Sequence, residues 1–181
     1  MSEVLIISTC VYPLLEEEFV RPLREVAEDL GYSVRVRSYR EKIRPESSRV
    51  IISGTALKDL DYLNYVENFR WLTEFDGRVL GIGAGAQIIS LIFGCRLEER
   101  KLIGVYEVEV LGSRRRAYFL VSKIPRLNEE FEILGRVGDI PAYFKKRGRE
   151  IYGMLFHPEV LNRDLLTKFL KGSQKLHYTR L

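Results

Sequence analysis

The stretch RVLGIGAGAQII, residues 78–89, constrains this chain most. An apolar run (Arg78 to Gly81) gives way to a helical pattern (Gly85 to Phe93) across a few small residues, with glycine at 81, 83 and 85. A chain that turns from strand to helix so abruptly needs backbone that can adopt positive φ and approach its neighbours closely, which glycine allows. Units of this kind belong to a parallel sheet covered by helices.

The rest of the chain agrees with that setting. Residues 4–8 (VLIIS) and Arg49–Ile52 are short apolar runs that read as strands buried on both faces. Residues 16–30 carry Phe19, Val20, Leu23, Val26, Ala27 and Leu30 on one stripe and predict a single helix, ended by Gly31. Ser33–Ser38 alternates apolar residues with arginine, as a strand does, and 62–74 reads as helical. The second half changes character: 104–111, 117–121, 132–137 and 141–146 read as shorter strands, followed by a buried strand at 151–155 and a helix at 161–171. The expected fold is therefore α/β: three layers, flavodoxin-like, a mostly parallel central sheet flanked by helices with an antiparallel extension. One domain over 1–173 is expected, with a polar tail at 174–181.

Composition narrows the class of protein. The net charge of +4 permits an acidic partner surface without calling for nucleic acid. No run approaches the roughly 18–20 apolar residues of a membrane span, and the first ten residues lack the basic start of a signal peptide. Two cysteines, Cys10 and Cys95, make no disulfide framework, so a cytoplasmic protein is expected. Abundant Arg, Lys and Glu beside scarce Asn and Gln lean towards a thermophile. No Cys/His spacing suggests a metal site, and no cofactor is expected.

Two chemistries use a strand, a glycine turn and a helix. In dinucleotide binding, Gly81, Gly83 and Ala86 fit G-x-G-x-x-[GA], with Glu98 or Glu99 downstream and a pyrophosphate on the helix N-terminus. That motif normally follows a first strand, and here several elements precede it. The other chemistry is the nucleophile elbow, G-x-nucleophile-x-G, which holds a side chain above a helix N-terminus. Gly81-Ile82-Gly83-Ala84-Gly85 has its spacing, with glycine at the centre.

The segment GMLFHPE, residues 153–159, arbitrates. His157 and Glu159, just beyond the last strand, have the spacing of a general base and its orienting carboxylate. The elbow and this motif together resemble the class I glutamine amidotransferases, which carry G-[IV]-C-x-G-[HM]-Q and G-x-[QH]-F-H-P-E. The resemblance covers nearly the whole chain, and in size and layout it is nearest to the archaeal glutaminase subunits of GMP synthetase. It implies a Cys–His–Glu triad that releases ammonia from glutamine for a synthetase partner. On this chain the nucleophile position falls on Gly83, the base on His157 and the carboxylate on Glu159. The oxyanion amides fall on Ala84 and on the loop at Gly54 and Thr55, and the substrate-contacting glutamine falls on Gln87.

Several positions depart from the family pattern. Gly83 offers no nucleophile, Ala86 replaces a His or Met, and Phe119 and Leu120 fall where a Ser-His pair would hold substrate. The expectation is a protein without glutaminase activity that serves as a regulatory, scaffolding or ligand-binding subunit. Its partner would be a synthetase-type protein or a second copy of itself. The cluster of small residues at 81–86 suggests opened space for a small-molecule ligand or a neighbouring chain. One alternative is an active amidotransferase or hydrolase that uses His157 and Glu159 with a displaced nucleophile, for which Cys10 is the candidate. Another is nucleotide binding through Gly81 to Ala86. The basic runs Arg114-Arg115-Arg116 and 145–149 read as solvated turns.

Overall fold

The computed structural model describes residues 2–172; the predicted tail at 174–181 lies outside them. One nine-stranded sheet runs in the order β2-β1-β3-β4-β9-β8-β7-β5-β6. Its parallel part comprises β1 (Glu3–Ser8), β2 (Ser33–Ser38), β3 (Arg49–Ile52), β4 (Arg78–Ile82) and β9 (Ile151–Met154). The central strands β3 and β4 are buried over nearly their whole length, so their side chains are apolar without alternation. β2 lies at the edge and alternates, exposing the arginines that its sequence interleaves with valine. Each fully buried Val, Leu or Ile contributes roughly 1.5–3 kcal/mol, so these strands supply a substantial part of the core.

The antiparallel extension is larger than the sequence suggested. β5 (Arg96–Val110) and β6 (Ser113–Arg126) form one long hairpin, and β7 (Phe131–Val137) and β8 (Ile140–Lys146) carry the sheet back to β9. Many residues at the hairpin base are polar or charged, so the short apolar windows at 104–111 and 117–121 understated both strands. The sheet curls until Phe119 of β6 bridges Phe156, immediately after β9. That closure buries Phe119 against Phe156, with ring centroids 5.8 Å apart.

Two predicted helices are corrected. Residues 16–30 form two helices, α1 (Pro13–Phe19) and α2 (Arg21–Asp29), joined at Val20. Pro22 falls in the first turn of α2, where its missing amide costs nothing, whereas inside one continuous helix it would break the ladder. Residues 62–74 are a 3₁₀ segment, Asp61–Thr73, kinked at Tyr65. The closing helix is present as α5 (Arg163–Lys171), preceded by a short α4 (Pro158–Leu161) from which Asn162 separates it. The helix after the elbow, α3 (Ala84–Ile92), is as expected and lies against the 3₁₀ segment, while α2 packs with α5. None of the described helices is long and apolar enough to cross a membrane.

Candidate functional site

The elbow sits at the carboxyl edge of β4. Gly83 is the N-cap of α3, with φ 51° and ψ −107°, and its amide donates to Met154 O at 2.8 Å. That bond ties the elbow to the neighbouring strand β9, whose continuation carries His157. His157 is set in turn by β6, because its amide donates to Tyr118 O at 2.8 Å. Two sequence-distant segments therefore meet at one sheet edge through backbone hydrogen bonds.

The three elbow glycines have different reasons. A β-carbon on Gly85 would stand 2.2 Å from Ile52 O, and one on Gly81 would stand 2.4 Å from Gly85 O. Both are required by the contact of β3 and β4 with α3. A β-carbon on Gly83 would meet nothing closer than His157 Nε2, at 3.6 Å. Space permits a side chain there, although the positive φ disfavours one. The opened space expected from the small residues is thus absent at 81 and 85, where backbone fills it.

His157 is fully enclosed. Its Nδ1 lies 2.9 Å from Glu159 Oε1, and both side chains are buried. Phe19 and Tyr118 pack on the ring, and Gly54 forms a third wall. The other polar atoms of the pair, His157 Nε2 and Glu159 Oε2, are buried with no hydrogen-bond partner among the described residues. The arrangement can orient an imidazole with Nε2 presented to the elbow, as a general base is presented to a nucleophile.

The loop after β3 carries the remaining predicted positions. Thr9 locks it to β1: its amide donates to Ser53 Oγ at 3.1 Å and its hydroxyl to Ser53 O at 2.8 Å. Thr55 Oγ1 donates to Asp59 Oδ2 at 2.6 Å, and the same carboxylate oxygen accepts from the Val11 amide at 2.9 Å. Thr55 and Ala84 line one small pocket together with Tyr62, Gln87, Leu120 and Ser122. Ala84 lies in the first turn of α3, where an amide has no acceptor within its own helix.

That pocket is small. It leaves about 10 Å³, which is room for about one water molecule. Gln87 is spent within the chain: its Oε1 accepts from the Tyr62 hydroxyl, and its Nε2 donates to Lys123 O at 2.9 Å. Leu120 lines the pocket as its sequence position implied, whereas Phe119 turns inward to Tyr106 and Phe156. Asp59, Tyr62 and Ser122 escaped the sequence reading, because single polar residues in a loop, a 3₁₀ segment and a strand carry no periodic signal.

Cys10 lies at the same edge, its Sγ 3.7 Å from Gly54 O. Burial pushes its thiol above the ordinary range, and hydrogen bonds with Ser8 and Thr55 offset this only in part. Such a thiol is not poised as a nucleophile. Cys95 is buried beyond α3. The basic runs are not simply turns: Arg114–Arg116 lie in β6 and Lys145 and Lys146 end β8, while Arg115 reaches Asp164 at 2.6 Å and Arg149 donates to the Thr73 and Leu72 carbonyls at 3.1 and 3.2 Å.

No protein-family profile matches the sequence, and no curated protein matches it. Solved structures do match the fold. A candidate GMP synthase subunit of Thermoplasma acidophilum superposes with a TM-score of 0.83 at 20% identity, covering 94% of this chain and 93% of that one. A glutamine amidotransferase of Thermotoga maritima gives 0.70 at 19% identity, covering 88% and 76%. A glutamine amidotransferase of Methylobacillus flagellatus gives 0.65 at 13%, covering 88% and 71%. The chain has the class I glutamine amidotransferase fold.

Proposed function

We propose that this chain is a glutamine amidotransferase-like protein without glutaminase chemistry, serving as a regulatory, scaffolding or ligand-binding subunit beside a synthetase-type partner. The observation that carries the reading is at Gly83. Its missing β-carbon would stand 3.6 Å from His157 Nε2, where a nucleophile would receive the base, and glycine has no atom with which to attack an amide. The small pocket supports the same reading, since Gln87, at the position of the substrate-contacting glutamine, is already bonded to Tyr62 and Lys123. The likeness to a candidate GMP synthase subunit supports a partner of the synthetase kind.

An active enzyme with Cys10 as displaced nucleophile is the weaker reading, because that thiol is buried and pushed towards its protonated form. Nucleotide binding through Gly81 to Ala86 is weaker too. Gly81 and Gly85 serve packing within the chain, and the His157 ring faces the α3 cap, where a pyrophosphate would sit.

The test is intact-mass analysis after incubation with a diazoketone analogue of glutamine, with Gly83→Cys alongside. The wild type is expected to remain unlabelled. A stoichiometric adduct on the wild type would overturn the reading, and peptide mapping would identify the nucleophile. Labelling of the variant alone would mean that base and pocket survive and only the nucleophile is lost. If the variant also stays unlabelled, the pocket is closed as well.

A further inference from the structure

We infer that a second cavity, at the opposite end of β4 from the elbow, binds an amphipathic organic anion: an apolar or aromatic body carrying one carboxylate, sulfonate or phosphate. The cavity is about 300 Å³ and lies between α5, β8, β9 and the tip of the β5–β6 hairpin. Arg78, the first residue of β4, lines it, whereas Gly83 follows the last residue of that strand. Five residues at about 3.3 Å each place the two sites roughly 16 Å apart along β4. The inference is independent of the function proposed for the His157 site.

The lining sorts into charge and apolar surface. Arg78, Lys145 and Lys168 contribute three cations, and among the described residues no acidic side chain lines the cavity. Among the described residues Lys145 has only a long contact with Glu150, at 3.8 Å, and that carboxylate is shared with the Tyr152 hydroxyl. Arg78 Nε is buried with no hydrogen-bond partner among the described residues. Its guanidinium instead lies over the Phe169 ring at 5.4 Å. The Arg78 guanidinium therefore lines the cavity with no carboxylate to neutralise it among the described residues, and an anion bound here would give it a charge-assisted partner. Phe169, Tyr143 and Tyr152, with Leu134 and Leu165, supply apolar lining for the body of the ligand.

The rim gives a separate argument. Leu111 has φ 50° and is followed by Gly112 at φ 81°. Both central residues of the hairpin turn are thus left-handed, a conformation for which Asn, Asp or Gly is the ordinary choice at the first position. Leucine is strained there and is also 58% exposed. Neither the turn nor the core accounts for it. As a lip of the cavity it does have a purpose, and its amide is pinned to Leu134 O at 2.9 Å beside the same opening.

The test is a fluorescence titration of the full chain with 8-anilinonaphthalene-1-sulfonate, compared with N-phenyl-1-naphthylamine, which lacks the sulfonate. One saturable site is expected, with the anionic dye bound at least tenfold more tightly than the neutral one. Lys168→Glu, on an exposed helix position, is expected to weaken the anionic dye at least fivefold and leave the neutral dye within twofold. Leu134→Trp, which fills the cavity, is expected to remove both. Should Leu134→Trp fail to fold, Lys168→Glu decides alone. Non-saturating binding, equal affinity for the two dyes, or an unchanged anionic dye in Lys168→Glu would overturn the inference.

Discussion

The imidazole of His157 rests on the α-carbon of Gly54: a β-carbon there would fall 2.6 Å from Cε1. The ring cannot swing aside, because Phe19, Tyr118 and Glu159 hold it from other directions. Gly54→Ala is therefore expected to destabilise the fold by about 1–3 kcal/mol, as overpacking does. Urea denaturation checks the loss.

The elbow glycines should differ in their tolerance of alanine. Gly83→Ala meets no clash and suffers only from its positive φ, so a loss of about 1–3 kcal/mol is expected. Gly85→Ala drives a methyl into the Ile52 carbonyl and should lose more than about 4 kcal/mol or fail to accumulate. Equal stability of the two variants in chemical denaturation would contradict this account of the elbow.

Tyr62 and Gln87 close the small pocket between them. Tyr62→Phe leaves the buried Gln87 Oε1 without its donor, an expected loss of about 1–3 kcal/mol. Gln87→Leu in addition should cost less than the sum of the single changes, since it removes the orphaned oxygen. A double-mutant cycle by thermal unfolding reads the coupling, and strict additivity would mean that the pair contributes nothing.

Stability is expected to decline at alkaline pH. Burial raises the Cys10 and Cys95 thiols above their ordinary value of 9.0, raises Tyr62, and pushes Tyr143 up to about 12 from 10.0. Each raised group is protonated in the folded chain at a pH where the unfolded chain has begun to lose its proton. The unfolded state then binds fewer protons, so the stability these groups contribute is complete below about pH 9 and declines as pH rises towards their folded values. Denaturant midpoints measured from pH 7 to 11 check the direction. Alkylation of both native cysteines by iodoacetamide at pH 8 should correspondingly be much slower than in the unfolded chain.

The sequence by itself determined which segments would be buried and where the chemistry could lie. The apolar runs of β3 and β4, the glycine turn before α3 and the spacing of His157 and Glu159 are local facts, set by side-chain hydrophobicity, φ preference and chain connectivity. The break at Val20 was local as well, and Pro22 marked it, although the apolar stripe ran through it. The tertiary structure alone decided the length of the β5–β6 hairpin and its return to Phe156, because charged strand residues acquire their partners only from the opposite strand. It alone divided the glycines into two fixed by neighbouring backbone and one, Gly83, with room for a side chain. It also committed Gln87 to Tyr62 and Lys123, a choice no spacing could express, because a side-chain amide bonds to whatever polar group the fold brings within about 3 Å.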